Sequence, residues 1–122
     1  VAELMNRVRQ PFNVNHLAMV AAEAALGDEA FIAESRAMNA AGLAQLEAGF
    51  RQLGLGFIPS SGNFIAVEVG EATRIYEALL RQGVIVRPVA GYGLPRFLRV
   101  TVGTAPQNAR FLAALARALG RE

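Results

Sequence analysis

The chain has no lysine; its twelve positive side chains are all arginine. No side-chain amine is available for Schiff-base chemistry, and only the α-amino terminus could form such a bond. Cysteine is absent as well. Its absence removes disulfides, thiol catalysis and thiolate metal sites, and it fits a cytoplasmic origin. No apolar run approaches the ~20 residues that span a bilayer. Residues 1–10 carry mixed charge without the apolar stretch of a secretory signal, so no membrane association is expected. The single histidine, His16, has no second histidine, no cysteine and no placed carboxylate around it, so neither a metal site nor a catalytic triad is expected. The acidic residues are dispersed over helix surfaces and Glu68 stands alone in its strand, which leaves no carboxylate pair for acid–base work. No catalytic residue is assigned to this chain.

Its 122 residues make one domain's worth of chain, read as a single domain over 1–122. The apolar fraction of 53% and mean hydropathy of +0.31 exceed what such a domain needs for its own core. The excess calls for a partner surface, either another subunit or a missing domain. Met5, Met19 and Met38 read as core or interface fillers. A pI near 9.9 raises the question of nucleic acid. The net charge is only +2, however, and the arginines are scattered, with no basic run and no interleaved aromatics. No nucleic-acid partner is expected, and codon bias accounts for most of the arginines.

Residues 1–9 read as the tail of a helix stopped by Pro11; with no start signal before it, this end reads as a cut. Asn13 and Asn15 offer caps for a helix over 16–26 that Gly27 closes. Asp28 caps a long helix reaching Leu53, with Phe31, Met38, Leu46, Phe50 and Leu53 largely at helical spacing. After Gly54 the pattern shortens. Phe57-Ile58 is a brief apolar piece, and Pro59-Ser60-Ser61-Gly62 is a turn. Residues 64–69 read as a strand buried on both faces. Residues 71–82 form a helix with an inward stripe of Ile75, Tyr76, Leu79 and Leu80, closed by Gly83. A second strand covers 84–87, a Gly- and Pro-rich loop 90–95, and a third strand 97–102. A capping box at Thr104 and Gln107 then opens a last helix to Leu119. The expected fold is α+β: a long helical lead-in, then a small three- to four-stranded sheet with helices on one face.

Alternation along the strands sorts the side chains. Leu98, Val100 and Val102 share one face and belong against helices, so Phe97, Arg99 and Thr101 take the other. Val84 and Val86 likewise oppose Ile85 and Arg87. If the two strands are neighbours with their valines aligned, Arg87 and Arg99 emerge together on the open face. Two guanidiniums there repel one another unless an anion lies between them, and their planar forks match carboxylate and phosphate oxygens. Pairing with acids of a missing domain, or simple extension into water, fits the pattern equally. The glycines of Gly91-Tyr92-Gly93 do not join a strand to a helix and form no phosphate loop.

Four segments fit short motifs. Arg9-Gln10-Pro11-Phe12-Asn13-Val14-Asn15 resembles R-x-P-F-N-x-[SN], and Ser60-Ser61-Gly62-Asn63-Phe64 resembles S-x-x-N-F. Val84-Ile85-Val86-Arg87-Pro88 is similar to G-[IV]-x-[VI]-R. Leu98-Arg99-Val100-Thr101-Val102-Gly103-Thr104 is similar to L-R-[IV]-[ST]-[IV]-G-T. In these motifs and their order, which cover nearly the whole chain, the sequence resembles the histidinol-phosphate branch of the fold-type I, pyridoxal-phosphate-dependent aminotransferases. The resemblance implies that Arg99 grips the substrate carboxylate and helps bind the substrate phosphate, with Arg87 as the second phosphate-gripping arginine. It puts Asn63 and Tyr92 in the wall of the cleft, although loop geometry accounts equally for Tyr92. The family's Schiff-base lysine and cofactor-holding residues lie in a large upstream domain with no counterpart here.

The resemblance implies a C-terminal small domain that binds the substrate anion and closes over it. The parent enzyme would be a cytoplasmic homodimer of histidine biosynthesis that uses pyridoxal phosphate. It would interconvert histidinol phosphate and 2-oxoglutarate with imidazole-acetol phosphate and glutamate. The chain alone would be inactive and would hold no cofactor covalently. Other readings remain open at this level: another class II-type aminotransferase, a threonine-phosphate decarboxylase-like enzyme, or a free-standing small-anion-binding or oligomerisation domain.

Overall fold

The structure, a computed structural model, describes residues 1–8 and 14–121. The Pro11 stop, the Asn13 cap and the part of the first motif on 9–13 lie outside the described residues. The chain divides into two compact units, 1–35 and 36–122.

In the first unit, α1 runs Ala2–Val8 and α2 His16–Leu26. Asn15 caps α2 by accepting the Ala18 N–H at 2.9 Å, and the Gly27 and Asp28 N–H groups close its far end on the Ala24 and Ala25 carbonyls, respectively. Asp28 accepts the Phe31 N–H at 3.0 Å and so starts α3, Glu29–Gln52. These ends follow the local signals. The apolar side chains here do not form a core: α2 has no buried residue, and Leu4, Leu17, Leu26 and Phe31 are all exposed. Met5, Met19 and Met38 are at least half exposed, so the core half of their reading is corrected. Short helices composed largely of alanine and medium-sized apolar residues have too little volume to bury one another.

The second unit has the core. Beyond α3 the elements are β1 Phe57–Ile58, β2 Phe64–Glu68, α4 Ala72–Arg81, β3 Arg87–Pro88, β4 Phe97–Thr101 and α5 Ala105–Leu119. The strands form one antiparallel sheet in the order β1-β2-β4-β3. Ile65 and Val67 of β2 and Leu98 and Val100 of β4 point to one face, where they pack with Leu46 and Phe50 of α3, Ile75 and Leu79 of α4, and Phe111 and Leu115 of α5. The opposite face, with Phe64, Ala66, Arg99 and Thr101, has no helix over it within this unit. That layering is the expected α+β arrangement.

Three expectations need correction. The 64–69 strand is buried on one face only, with Phe64 43% exposed, because helices cover a single side. Leu80 is exposed; the inward stripe of α4 runs instead through Ala72, Ile75 and Leu79. The 84–87 strand shrinks to Arg87–Pro88. Its start is diverted because the Val84 N–H turns back to the Leu79 carbonyl at 3.0 Å, in the closure of α4 that Gly83 allows with a φ of 70°. Residues 84–86 still alternate, with Val86 buried and Ile85 exposed.

The loop from β4 to α5 is held by a buried polar knot. Asn108, 2% exposed, accepts the Gly103 N–H at 2.9 Å and donates to the Gly103 carbonyl and to Gln45 of α3. Gln107 accepts the Thr104 N–H at 2.9 Å, one arm of the expected capping box. The close approach of α3 to this loop depends on Gly42, where a Cβ would sit 2.4 Å from Val102 Cγ1 and 3.3 Å from the Gly103 carbonyl. Val102 is β-branched and cannot swing aside freely. Gly42→Ala should therefore lower the thermal midpoint. Overpacking of roughly 1–3 kcal/mol outweighs the ~1 kcal/mol gained by removing a helical glycine. Gly49→Ala, whose three nearest neighbours all belong to the flexible Leu112 side chain, should lie nearer neutral. A higher midpoint for Gly42→Ala than for the parent sequence would contradict this packing.

Candidate functional site

The site sits on the uncovered face of the sheet. The register sets Ala66 opposite Arg99 and Phe64 opposite Thr101 between β2 and β4, and Arg87 opposite Arg99 between β3 and β4. Directly opposed residues on antiparallel strands have Cβ atoms about 5 Å apart, so both arginines leave the sheet from adjacent positions on one face, as their alternation predicts. Arg99 is half-buried and Arg87 exposed.

Arg99 borders a groove of about 370 Å³ whose floor includes Phe64 and Ala66. Its far wall is the loop after β3, through Val89, Tyr92 and Leu94. A 3₁₀ turn over Ala90–Tyr92 shapes that loop; the Tyr92 N–H bonds to the Val89 carbonyl at 3.0 Å, and the Tyr92 side chain stands 71% exposed at the rim. Ile58 and Pro59 close the opposite end. The walls are apolar except at Ser60, the Tyr92 hydroxyl and the guanidinium of Arg99.

Other arginines near this sheet have partners. Arg96 donates to Glu68 at 2.8 Å, and Arg51 pairs with Glu47 and lies over the Phe57 ring. Among the described residues, neither Arg87 nor Arg99 has a carboxylate within ion-pair distance. Arg99 instead meets an aromatic ring, its Cζ lying 5.1 Å from the centroid of Phe64. The arrangement can therefore receive an anion held by two planar forks, attached to an apolar body lying in the groove.

The structure brings Arg99 and Tyr92 to one groove; Arg87 lies opposite Arg99 by register but outside the groove lining. Asn63 stands apart from the groove lining; its carbonyl accepts the Val102 N–H at 2.8 Å and extends the β2–β4 ladder. Strand alternation puts Phe97 and Thr101 on the open face beside Arg99, yet the ring that meets Arg99 is Phe64, a diagonal neighbour on β2. Alternation within one strand could not reveal a neighbour that depends on register across two strands.

Side-by-side like charges destabilise a strand pair when no anion bridges them. Arg87→Gln should therefore raise the thermal midpoint at low ionic strength by about 1–3 °C, corresponding to roughly 0.5 kcal/mol. The gain should vanish near 0.5 M salt, where the screening length is only a few ångströms. A shift independent of salt would show that the two arginines do not interact.

Comparison with known proteins agrees with this architecture. Residues 1–115 match the family described as aminotransferase class I and II. Histidinol-phosphate aminotransferase 2 of Pseudomonas fluorescens is 63% identical over 122 residues, covering 99% of this chain and 33% of that protein. Histidinol-phosphate aminotransferase 1 of Dechloromonas aromatica is 58% identical over 119 residues, covering 98% of this chain and 33% of its own length. Among solved structures, histidinol-phosphate aminotransferase from Sinorhizobium meliloti in complex with pyridoxal-5'-phosphate superposes with a TM-score of 0.79 at 26% identity. The match covers 98% of this chain and 34% of that one. The chain thus spans about a third of the length of the relatives it matches. With residues 1–115 matched, the chain belongs to the aminotransferase class I and II family.

Proposed function

We propose that these 122 residues are one domain of a histidinol-phosphate aminotransferase: the C-terminal small domain, which grips the substrate anion and closes over it. The observation that carries the reading is the pair Arg87 and Arg99, set opposite one another on an uncovered sheet face with no carboxylate of the described chain to neutralise them. Identity of 63% to a protein of that name supports it. In this reading Arg99 takes the substrate carboxylate and shares the phosphate with Arg87. The apolar groove holds the substrate's carbon skeleton, and Tyr92 closes its rim. Asn63 contributes to the cleft through its backbone, by holding the start of β2. The rigid sheet fixes the anion, and with it the reacting end of the substrate.

The parent enzyme would use pyridoxal phosphate to pass an amino group between histidinol phosphate with 2-oxoglutarate and imidazole-acetol phosphate with glutamate. This chain does not fit the covalent part of that task, since it has no lysine. We assign the anchoring amine and the cofactor's phosphate ligands to the rest of the parent chain. The exposed apolar side chains of α1 and α2 support a missing large domain and a homodimer partner as the surfaces that cover them. Among the described residues no helix is long and apolar enough to cross a membrane, and a cytoplasmic location is proposed with the biosynthetic role.

In the full-length enzyme, Arg99→Ala should raise KM for histidinol phosphate about 10- to 100-fold. That is the range expected when a charge-assisted hydrogen bond worth roughly 1.5–3 kcal/mol is lost. The cofactor absorbance should be retained, because Arg99 does not hold the cofactor. Unchanged kinetics with histidinol phosphate would overturn the assignment, and loss of cofactor with the substitution would move Arg99 to a different role.

A further inference from the structure

We propose that Phe64 is a positioning residue for Arg99, its ring holding the guanidinium flat so that the N–H edge is presented to the anion. The inference rests on the anion-binding reading of Arg99 and adds to it a residue that acts through the arginine. Phe64 and Arg99 are diagonal neighbours: Phe64 faces Thr101, and Ala66 faces Arg99. Diagonal pairs lie within reach of an aromatic ring and a long side chain. The small Ala66 directly opposite leaves the guanidinium room to lean toward the ring, and its Cζ comes to 5.1 Å from the ring centroid.

The chemistry of the pair separates positioning from binding. The contact is a cation–π one, in which the ring's π-cloud attracts the guanidinium. All five N–H donors of arginine lie in the plane of the group, so a guanidinium stacked on the ring keeps every one of them for an anion. A carboxylate partner would instead occupy the donors that an incoming anion needs, and among the described residues none lies within ion-pair distance of Arg99. Phe64 is 43% exposed, although its strand neighbours Ile65 and Val67 are fully buried. A large apolar ring on the open face, lining the same groove as Arg99, is poorly explained by core packing. As the support of a flexible cation it reduces the conformational freedom lost when the anion binds.

The test uses the full-length enzyme carrying Phe64→Leu, Phe64→Tyr, Arg99→Ala, and Phe64→Leu combined with Arg99→Ala. The measurements are KM and kcat for histidinol phosphate, inhibition by inorganic phosphate, and the thermal midpoint. Phe64→Leu should weaken phosphate inhibition and raise KM about three- to fivefold, the scale of one cation–π contact, with kcat changing much less. Phe64→Tyr, which keeps the ring, should restore both. In the Arg99→Ala background Phe64→Leu should add nothing. An equal effect of Phe64→Leu with and without Arg99, or a Phe64→Tyr variant as impaired as Phe64→Leu, would overturn the positioning role. So would wild-type inhibition in Phe64→Leu alongside a strong loss in Arg99→Ala, and this outcome would leave the anion site standing. Phosphate inhibition and KM unchanged in Arg99→Ala would overturn the anion site itself.

Discussion

The apolar seam between one face of the sheet and the helices, built on Ile65, Val67, Leu98 and Val100 against Phe50, Leu79 and Leu115, determines where every other side chain of the second unit can go. Strand side chains alternate, so committing these four inward commits Phe64, Ala66, Arg99 and Thr101 outward. The antiparallel register then decides who meets whom on that outer face. A one-residue slip would send Arg99 into the core. The site is therefore a by-product of the same packing that stabilises the sheet. Gly42, Asn108 and the turn at Gly83 contribute indirectly by fixing the helices and loops that hold the strands in register.

The electrostatics of the outer face derive from that geometry. Glu68 lies on the same face but is taken up by Arg96, which leaves Arg87 and Arg99 facing each other without an acid of the described chain. Such a pair is unfavourable in isolation and becomes favourable when a divalent or delocalised anion enters. The cost to the unbound sheet is small because both guanidiniums have access to water. The ring of Phe64 limits the disorder of the more buried one. In the proposed reading, an apolar groove beside paired cations suits ligands that carry an anionic head on an organic body.

Much of this was legible in the sequence where the signal is local. Asn15, Asp28 and Gln107 cap helices through side chains bonded to backbone groups three residues away, and Gly83 supplies a backbone conformation that a bulky residue would resist. The alternation of β4 placed Arg99 on the open face without a structure. The misreadings have separate causes. The Phe64-Ile65-Ala66-Val67 run looks buried on both sides because the apolar lining of a groove is compositionally the same as a core. The strand over 84–87 was shortened by one hydrogen bond from Val84 back to α4, and the Phe64–Arg99 contact exists only through cross-strand register. The apolar excess visible in the composition belongs to residues 1–35 in large part, a location that composition alone cannot supply.

Everything proposed for the open face requires that Arg87 and Arg99 serve an incoming anion rather than acids elsewhere in the parent protein. The decisive comparison is a crystal structure of the full-length enzyme with histidinol phosphate beside one of the same enzyme free of substrate. Both guanidiniums should be free of carboxylates in the unliganded form and within hydrogen-bonding distance of substrate oxygens in the complex. Finding either arginine locked onto an aspartate or glutamate of the large domain in both forms would contradict that role.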